Sequence, residues 1–404
     1  MLLIQGRSAL AARGLARAFT AAAVPKAAVG KLLVWGTGEY GKLGVEDAND
    51  REVPTELPAL ADVDVAQVVC GKHHTAALDA RGNVWAWGSD QYGQLGLGAI
   101  SSKPRLPTLV EALAGKGVAQ IAAGAYHSAA VLEDGSLLTW GYGGAFLAGP
   151  GGLGHNSWNS TAVPKAVQGF GAGGKRAVAV SCGGYHTLAL TDEGEVYSWG
   201  RGEWGRLGHG GAGSFNRPER LEQLVGTKVA RVFACEGHSA CIDATGAVYT
   251  WGHNEHWQLG YEITGFLNSG QAFDAQQEPA KVKLPQLDGV ASLLAVSDQG
   301  GLAVGCADGK TLMVWGFRTH FEPQPLPGAD ALDGRVLAAA VGESHVLLLT
   351  DTGSVFTWGR GAPLGMPQPE RQQWKLAKNS PLAAEGVLAI AAGPSSSAAI
   401  VKRN

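Results

Sequence analysis

The chain has 404 residues with 32 Lys and Arg against 35 Asp and Glu, and this formal net charge of -3 excludes a bulk-basic, histone-like nucleic-acid binder. Hydrophobic residues make up 45% and charged residues 17%, and the 60 glycines are about twice the usual ~7% share, which is typical of a turn-rich globular protein. The five cysteines include no Cys-x-x-Cys pair, which excludes a zinc ribbon, a thioredoxin-type motif and a disulfide-dense scaffold.

The first thirty residues are basic and contain no acidic residue. Four basic residues lie there among Ala, Leu and Ser: Arg7, Arg13, Arg17 and Lys26. This composition is typical of a mitochondrial transit peptide, and it lacks the compact apolar core of a secretory signal. We therefore predict a transit peptide over residues 1–30 and a mitochondrial location, in the matrix. A chloroplast transit peptide and an extension on a cytoplasmic protein are the alternatives. Removing these residues leaves 28 basic against 35 acidic residues, a net charge of -7.

Two short motifs alternate along the rest of the chain. Trp-Gly occurs seven times, at Trp35, Trp87, Trp140, Trp199, Trp251, Trp315 and Trp358. A second motif contains a glycine and a histidine, and in five units its His precedes the next Trp by 13 residues, at His74, His127, His186, His238 and His345. The constant distance indicates a structural repeat of about 50 residues.

Each unit of the repeat has the pattern of short strands. Between the His and the Trp, a small apolar run leads to a turn with Asp and Gly and then to alternating apolar residues, as in residues 75–87. This is the pattern of two strands joined by a tight turn. No segment shows sustained helical periodicity. Four short strands in each of seven units predict an all-β fold, a seven-bladed β-propeller, because such strands bury their faces by stacking radially.

The two ends of the chain complement each other. Residues 387–401 form the first half of a unit that has no Trp-Gly after it, and residues 31–36 form a second half with nothing before it. Together they predict one blade closed jointly by N- and C-terminal strands, which removes the free strand edges of an open ring. The propeller domain is therefore predicted over residues 31–404.

The two motifs also identify a family. Trp-Gly-x-Gly-x-x-Gly-x-Leu-Gly at residues 35–44, paired with Cys-Gly-x-x-His-Thr at residues 70–75, resembles the repeats of the regulator of chromosome condensation family of seven-bladed propellers. The resemblance covers residues 31–403 and is greatest to the mitochondrial members. Members of the family include the exchange factor for the nuclear GTPase Ran, the plant ultraviolet-B photoreceptor, and mitochondrial proteins tied to ribosome assembly, organellar RNA or GTPase partners.

Light sensing is not implied by this resemblance. The photoreceptor senses light through Trp in repeated Gly-Trp-Arg-His-Thr motifs. Here the corresponding motifs read Gly-Lys-His-His-Thr, Gly-Ala-Tyr-His-Ser and Gly-Gly-Tyr-His-Thr, with no Trp.

The repeated His and Cys residues are predicted to be structural. Equivalent positions in different blades lie around a ring, so the five His do not converge on one ion, and each is expected to form a hydrogen bond within its own blade. Cys70, Cys182 and Cys235 are assigned to one repeat position that takes a small buried side chain. No nucleophile, base or phosphate-binding loop stands outside the repeat. We therefore predict no metal, no cofactor and no covalent catalysis.

Departures from the repeat length indicate where partners bind. The loops after Trp140 and Trp251 are expanded, over residues 142–163 and 253–277, and insertions in a repeat protein often map to its binding face. We predict partner contacts through aromatic residues of these loops and of the loop after Trp199: Phe146, Trp158, Trp204, Trp257, Tyr261 and Phe266. Direct RNA contact would need a local basic patch on this acidic chain, and the candidates are Lys165, Lys175, Arg176, Arg201 and Arg206.

These observations predict a mitochondrial interaction scaffold. Its partners are expected to be proteins of mitochondrial ribosome assembly or organellar RNA processing, with RNA contacted indirectly. The alternative, implied by the family resemblance alone, is a guanine-nucleotide exchange factor for a mitochondrial small GTPase, although no residue here can be matched to an exchange wedge. No stretch is long and apolar enough to be a transmembrane helix.

Overall fold

A computed structural model gives the structure of residues 29–145, 149–263, 275–287, 290–305, 309–367 and 372–403. These residues form seven four-stranded antiparallel sheets and one two-stranded hairpin, with short 3-10 helices and no α-helix among them. Within the same ranges, no helix has the length and hydropathy to cross a membrane. Residues 1–28, most of the predicted transit peptide, lie outside them, so that peptide stays a prediction.

The sheets are the blades of a propeller, which confirms the predicted fold, and we number them from the blade that holds the first strand. Blade 1 contains β1 (Lys31–Gly36), β2 (Arg51–Glu56), β29 (Val387–Ala392) and β30 (Ser396–Val401). Blade 2 contains β3 (Val65–Cys70), β4 (His74–Asp79), β5 (Val84–Asp90) and β6 (Ser101–Leu109). Blade 3 contains β7 (Val118–Ala123), β8 (His127–Leu132), β9 (Leu137–Gly141) and β12 (Thr161–Ala166), with the hairpin β10 (Gly144–Ala145) and β11 (Gly149–Pro150) before β12.

The other four blades follow without interruption in chain order. Blade 4 contains β13 (Ala177–Cys182), β14 (His186–Thr191), β15 (Val196–Gly200) and β16 (Phe215–Arg220). Blade 5 contains β17 (Val229–Ala234), β18 (His238–Asp243), β19 (Val248–His253) and β20 (Ala275–Lys281). Blade 6 contains β21 (Ala291–Ser297), β22 (Gly300–Gly305), β23 (Leu312–Gly316) and β24 (His320–Pro325). Blade 7 contains β25 (Val336–Val341), β26 (His345–Thr350), β27 (Val355–Arg360) and β28 (Gln372–Lys378).

Short 3-10 helices lie in the connections between strands. They span Glu39–Gly41, Pro58–Leu60, Glu111–Leu113, Glu203–Gly205, Glu222–Leu224, Pro285–Leu287, Ala329–Ala331, Ala362–Leu364 and Ser380–Leu382.

The N- and C-terminal strands share blade 1, as the sequence predicts. β1 pairs with β2 on one side and with β30 on the other, and β30 pairs in turn with β29. Leu32, Val34 and Ile400 are at most 2% exposed and belong to one core cluster with Val65 and Trp87 of blade 2. The C-terminal strands therefore complete both the first blade and its packing against the second.

The core lies between neighbouring blades, and the Trp of each Trp-Gly motif anchors it. At five interfaces the buried indole Nε1 donates a hydrogen bond of 2.8 to 3.0 Å to a loop carbonyl of the preceding blade. The donors are Trp35, Trp87, Trp199, Trp251 and Trp315, and their acceptors are the carbonyls of Pro363, Lys42, Gly152, Arg206 and Gln258. Each indole thus fills the interface and leaves no unpaired buried N–H there.

The motif His joins two blades, so the expectation that it bonds within its own blade is wrong. His74, His127, His186 and His345 place Nε2 2.7 to 2.8 Å from a Ser or Thr hydroxyl of the next blade: Ser128, Thr187, Ser239 and Ser397. Each of these hydroxyls also donates to a loop carbonyl of the blade that holds the His. Because the hydroxyl proton is used there, Nε2 must carry the imidazole proton and donate it.

Cys235 does not share the repeat position of Cys70 and Cys182. Its backbone N–H donates to the carbonyl of His238, as the N–H of Gly71 does to His74 and that of Gly183 does to His186. Cys235 therefore occupies the position of the motif glycine. The assignment failed because the fifth unit has one residue fewer between its Cys and its His.

The closed ring makes the C-terminal strands essential for stability. We expect deletion of residues 387–404, which removes β29 and β30, to abolish the cooperative thermal transition, because β1 loses its inner partner and two blade interfaces lose core residues. A chain that ends at Val401 is the matched control, since it keeps both strands and loses the exposed Arg403–Asp64 ion pair. Equal melting temperatures for the two truncated chains would contradict joint closure.

The buried histidines predict acid sensitivity well above the range in which carboxylates protonate. Burial lowers the pKa of His74, His127 and His345 to about 3, 4 and 3, whereas an unfolded His titrates near 6.5. Unfolding below pH ~6.5 therefore takes up protons, and the free energy of unfolding falls by about 1.4 kcal/mol per pH unit for each such His as the pH drops toward 4.

Urea titrations at pH 7.5, 6.0 and 5.0 would measure this loss of stability. The variant His127→Gln keeps a neutral hydrogen-bonding side chain. Its unfolding should take up about one proton fewer than that of the unchanged chain, so its free energy of unfolding should fall less steeply as the pH drops. A free energy of unfolding that is constant between pH 7.5 and 5.0 would contradict the assignment of neutral, buried histidines.

Candidate interaction surface

The two ends of the ring are built from different loops. Connections from the first to the second strand of a blade, such as residues 71–73, and from the third to the fourth, such as residues 91–100, lie on one end, which we name the motif face. The opposite end carries the tight turns between second and third strands, and we name it the turn face. Both expanded loops follow third strands, β9 and β19, so both lie on the motif face.

The mouth of the central cavity on the motif face is charged. The inner strands of all seven blades enclose a cavity of about 410 Å³. Carboxylate oxygens of Glu236, Asp298 and Glu343 lie within 4.8 Å of one another at its edge, and Lys72 Nζ is 2.7 Å from Glu236. Burial, with smaller contributions from the two glutamates, raises the pKa of Asp298 to about 7. The carboxylate group is thus partly desolvated and close to other negative charge.

A continuous row of aromatic side chains crosses blades 1 to 4 on the motif face. We name it the aromatic arc, and it contains Tyr40, His73, Tyr92, Tyr126, Tyr142 and Tyr185. Neighbouring ring centroids are 4.7 to 6.3 Å apart in edge-on or tilted arrangements, which are favourable for aromatic pairs. Tyr40 and Tyr92 are 37% and 36% exposed, so the arc presents polar-tipped rings to solvent.

Arginine side chains extend the row into blades 4 and 5. Arg201 lies 5.3 Å from the ring centroid of Tyr185, and Arg206 lies 4.7 Å from that of Trp204. Arg206 is 1% exposed and donates to the carbonyls of Glu203 and Glu236, and burial lowers its pKa to about 10, so it stays charged at neutral pH. Trp204 is 36% exposed and stacks on the ring of His253 at 4.4 Å.

Trp257 is exposed on this face in an unfavourable backbone conformation. Its φ is 63°, and its backbone N–H bonds the carbonyl of Asn254 as that of Gly93 bonds Asp90, so it occupies a loop position where blade 2 has glycine. A non-glycine residue in this left-handed region costs on the order of 1 kcal/mol. The side chain is 38% exposed and touches Phe321 edge-on at 6.4 Å.

The predicted contact residues fall into three groups. Trp204 and Trp257 are exposed on the motif face, and Trp158 is half-buried in the loop after blade 3's third strand. Tyr261 donates its hydroxyl to the carbonyl of Thr250 at 2.8 Å and packs against the core between blades 5 and 6, so it supports the loop. Phe146 and Phe266 lie outside the described residues, and their contact role stays a prediction.

The sequence analysis missed the aromatic residues of the motif itself. His73, Tyr126 and Tyr185 each stand directly before the motif His, in three consecutive units. The signal that could have found them is the aromatic side chain at this motif position in successive blades. This position places one ring per blade at the mouth of the cavity, where they contact each other.

The predicted basic residues do not form one patch. Lys175 and Arg176 lie toward the turn face, where Lys175 pairs with Glu193 and Glu195 and Arg176 donates to the carbonyl of Glu133. Lys165 lies on the outer strand β12. Arg201 and Arg206 are on the motif face, and Arg201 pairs with Glu203 at 2.6 Å. No more than two of them lie together, and their contact with RNA stays a prediction.

The protonation states of the buried thiol and of the ring histidines do not suit covalent chemistry. Burial raises the pKa of the Cys70 thiol to about 12 and lowers that of the ring histidines, so neither group is an active nucleophile or base near neutral pH. The motif face instead offers tyrosine and tryptophan rings with adjacent guanidinium groups. These are the side chains that contribute most to protein interfaces.

Comparison with known proteins agrees with this geometry. The model of the regulator of chromosome condensation (RCC1) repeat matches residues 29–78, 81–131, 134–190 and 193–242, about half of the chain. The ultraviolet-B receptor UVR8 of Arabidopsis thaliana is 29% identical over 327 residues, which are 81% of this chain and 60% of the receptor. The mitochondrial RCC1 domain-containing protein RUG3 of the same plant is 28% identical over 79% of this chain and 72% of RUG3.

A solved structure with the same fold has low sequence identity to this chain. Yeast RCC1 (Prp20), seen in complex with Kap60, superposes with a TM-score of 0.76 over 94% of this chain and 92% of its own, at 21% identity. This likeness supports the seven-bladed fold. The repeat matches over half of the chain show that it belongs to the regulator of chromosome condensation (RCC1) repeat family.

Proposed function

We propose that the chain is a mitochondrial interaction scaffold that binds a protein partner on its motif face and acts in mitochondrial ribosome assembly or organellar RNA processing. The observation that carries the proposal is the aromatic arc together with Trp204 and Trp257. Its members come from five blades, and they project from connections on one end of a rigid ring. A partner can therefore be held at several points without rearrangement of the fold.

The composition of the row favours a protein partner. Tyr, Trp and Arg are enriched at the energetic centres of protein interfaces, because they bury large areas and keep one polar group available. The chain without residues 1–30 has a net charge of -7, which opposes non-specific binding to RNA. Contact with RNA through the bound partner is therefore favoured over direct contact.

The location rests on two independent observations. Residues 1–30 contain four basic residues and no acidic residue, the pattern of a transit peptide. The relative RUG3 is described as mitochondrial and aligns with 79% of this chain.

Guanine-nucleotide exchange is the second candidate, and the yeast structures favour it. Prp20 has been described for its binding to Gsp1p and histones, and it shares the fold of this chain at 21% identity. The fold alone does not carry exchange activity.

The partner can be identified by affinity purification of the tagged full chain from fractionated mitochondria, with RNase treatment and sucrose-gradient sedimentation. We expect ribosomal-subunit or RNA-processing proteins to be recovered after RNase. The variant Trp257→Gly should weaken their binding about 30-fold, the effect of losing an interface residue worth about 2 kcal/mol. Its free energy of unfolding should stay within about 1 kcal/mol, because glycine suits the backbone there.

A matched control on the turn face is Val225→Asp, since Val225 is 53% exposed and lies after the 3-10 helix Glu222–Leu224. It should retain partner binding. Equal recovery from Trp257→Gly, from a combined Tyr40→Ala and Trp204→Ala chain and from the unchanged chain would exclude the motif face. Recovery of a stoichiometric GTPase in a light fraction, with faster nucleotide release, would replace the scaffold by the exchange factor.

The transit peptide can be tested separately from binding. Residues 1–30 fused to a fluorescent protein should direct it to mitochondria and be cleaved there. Cleavage should fall before Gly30, because its backbone pairs with Val65 in the ring. Substitution of Arg13 and Arg17 by Glu should abolish import, since the presequence must be basic. Plastid or cytoplasmic fluorescence of the unchanged fusion would contradict the location.

A further inference from the structure

The interface between blades 5 and 6 contains a buried histidine without a hydrogen bond. His238 is 0% exposed, and among the described residues neither of its ring nitrogens has a hydrogen-bond partner. Burying an unpaired polar group typically costs about 1 to 3 kcal/mol. Such a group in an otherwise well-bonded ring requires an explanation.

The missing partner results from a departure in the next blade. Ser239 lies opposite Ala234 in the register of blade 5, and in blade 6 the residue opposite Val296 is Gly301. At the other interfaces that carry a motif His, this position supplies the hydroxyl that accepts from Nε2. With Gly301 there is no hydroxyl, so His238 cannot make the bond made by its equivalents.

A second departure places a thiol beside the same ring. Cys235 occupies the position of the motif glycine, where a Cβ at Gly71 or Gly124 would lie 3.2 Å from the ring Cε1 of His74 or His127. The glycine elsewhere leaves room for the imidazole. In blade 5 this room is occupied by a side chain that ends in sulfur, and Cys235 is 9% exposed.

A third departure adds a carboxylate. Asp298 of blade 6 follows Ser297 at the end of β21, and the ligand atoms of Cys235, His238 and Asp298 all lie within 4.8 Å of one another. One oxygen of Asp298 accepts a hydrogen bond from the backbone N–H of Glu236. This bond fixes the carboxylate while its other oxygen remains available.

We propose that Cys235, His238 and Asp298 form a Zn²⁺ site that joins blades 5 and 6. Thiolate, imidazole and carboxylate are the ligands that zinc takes in proteins, at about 2.0 to 2.3 Å. Tetrahedral ligands at these distances are about 3.5 Å apart, and the three atoms lie within 4.8 Å of one another, so they approach by about 1.3 Å at most on binding. The fourth position faces the cavity mouth and is filled by water.

The charges around the site favour a cation. Glu236 and Glu343 have carboxylate oxygens within 4.8 Å of that of Asp298, and Lys72 neutralises one of them. Binding of Zn²⁺ releases the thiol proton of Cys235 to solvent and forms the Zn–S bond in its place.

The sequence analysis predicted no metal site because the five repeated His lie around a ring. That reasoning holds for the His residues as a set, since they are separated by whole blades. The present site differs because it takes one His and two residues that depart from the repeat. The alignment of Cys235 with Cys70 and Cys182 hid the first of these departures.

The site can be tested on the full chain, purified without a polyhistidine tag and treated with a chelator. Titration with Co²⁺ should give one equivalent with a thiolate-to-metal charge-transfer band and tetrahedral visible bands, and Zn²⁺ should displace it. Zn²⁺ should also raise the melting temperature. Each of Cys235→Ser, His238→Gln and Asp298→Asn should weaken Zn²⁺ binding on the order of 100-fold and remove the rise in melting temperature.

Two matched controls keep the buried chemistry and lie outside the site. Cys241→Ser changes a fully buried thiol of the same blade, and His186→Gln changes an equivalent His that is bonded to Ser239. Both should bind one Zn²⁺ with unchanged affinity and keep the charge-transfer band. Less than about 0.1 equivalent bound at micromolar Zn²⁺, or a band that survives in Cys235→Ser, would overturn the proposal. Asp298→Asn changes a loop residue of the neighbouring blade. Cooperative melting of this variant without metal shows that it is folded, so that its weaker Zn²⁺ binding reports lost ligation and not misfolding.

Discussion

At five blade interfaces the ring depends on one loop carbonyl. That carbonyl follows the third strand and accepts the indole N–H of the next blade's Trp at 2.8 to 3.0 Å, and in several blades it also accepts the hydroxyl of the next motif Ser or Thr. The hydroxyl in turn accepts from the motif His. Two side chains of one blade thus meet at one backbone oxygen of the preceding blade, and the His of that preceding blade is linked to it through the hydroxyl. Because all are buried, the loss of any of them leaves an unpaired polar group.

Much of this arrangement could be predicted from the sequence, because the constant spacing of His and Trp is the spacing of the residues that form these bonds. The 13-residue interval is one hairpin, β4 to β5 for example, in which His74 lies opposite Gly88 and its neighbour Thr75 lies opposite Trp87. Closure by the chain ends follows from two half-units. The partner of each His did not follow, because a repeat reports what every blade contains and not which blade supplies the other half of a bond.

The surface was less predictable for a related reason. Loop length directed attention to two connections that begin on the motif face, but the arc uses residues such as Tyr126 and Tyr185 that lie inside the regular motif. The placement of Lys175 beside Glu193 and Glu195 depends on a contact between the residues before β13 and the turn between β14 and β15, which the sequence does not show. The joint between blades 5 and 6 departs from the others through Gly301, Cys235 and Asp298 together, and each alone is unremarkable.

The pairing of β1 with β30 has a consequence for how the chain acquires its fold. Leu33 and Ala399 are paired across a sheet, although 366 positions separate them, so the ring cannot close until the last strand has been synthesised or has entered its compartment. Until then β1 is an unpaired edge next to a half-built blade, the state in which β proteins aggregate. A chain that crosses a membrane before folding would avoid closing too early, but it would need protection for that edge throughout its passage.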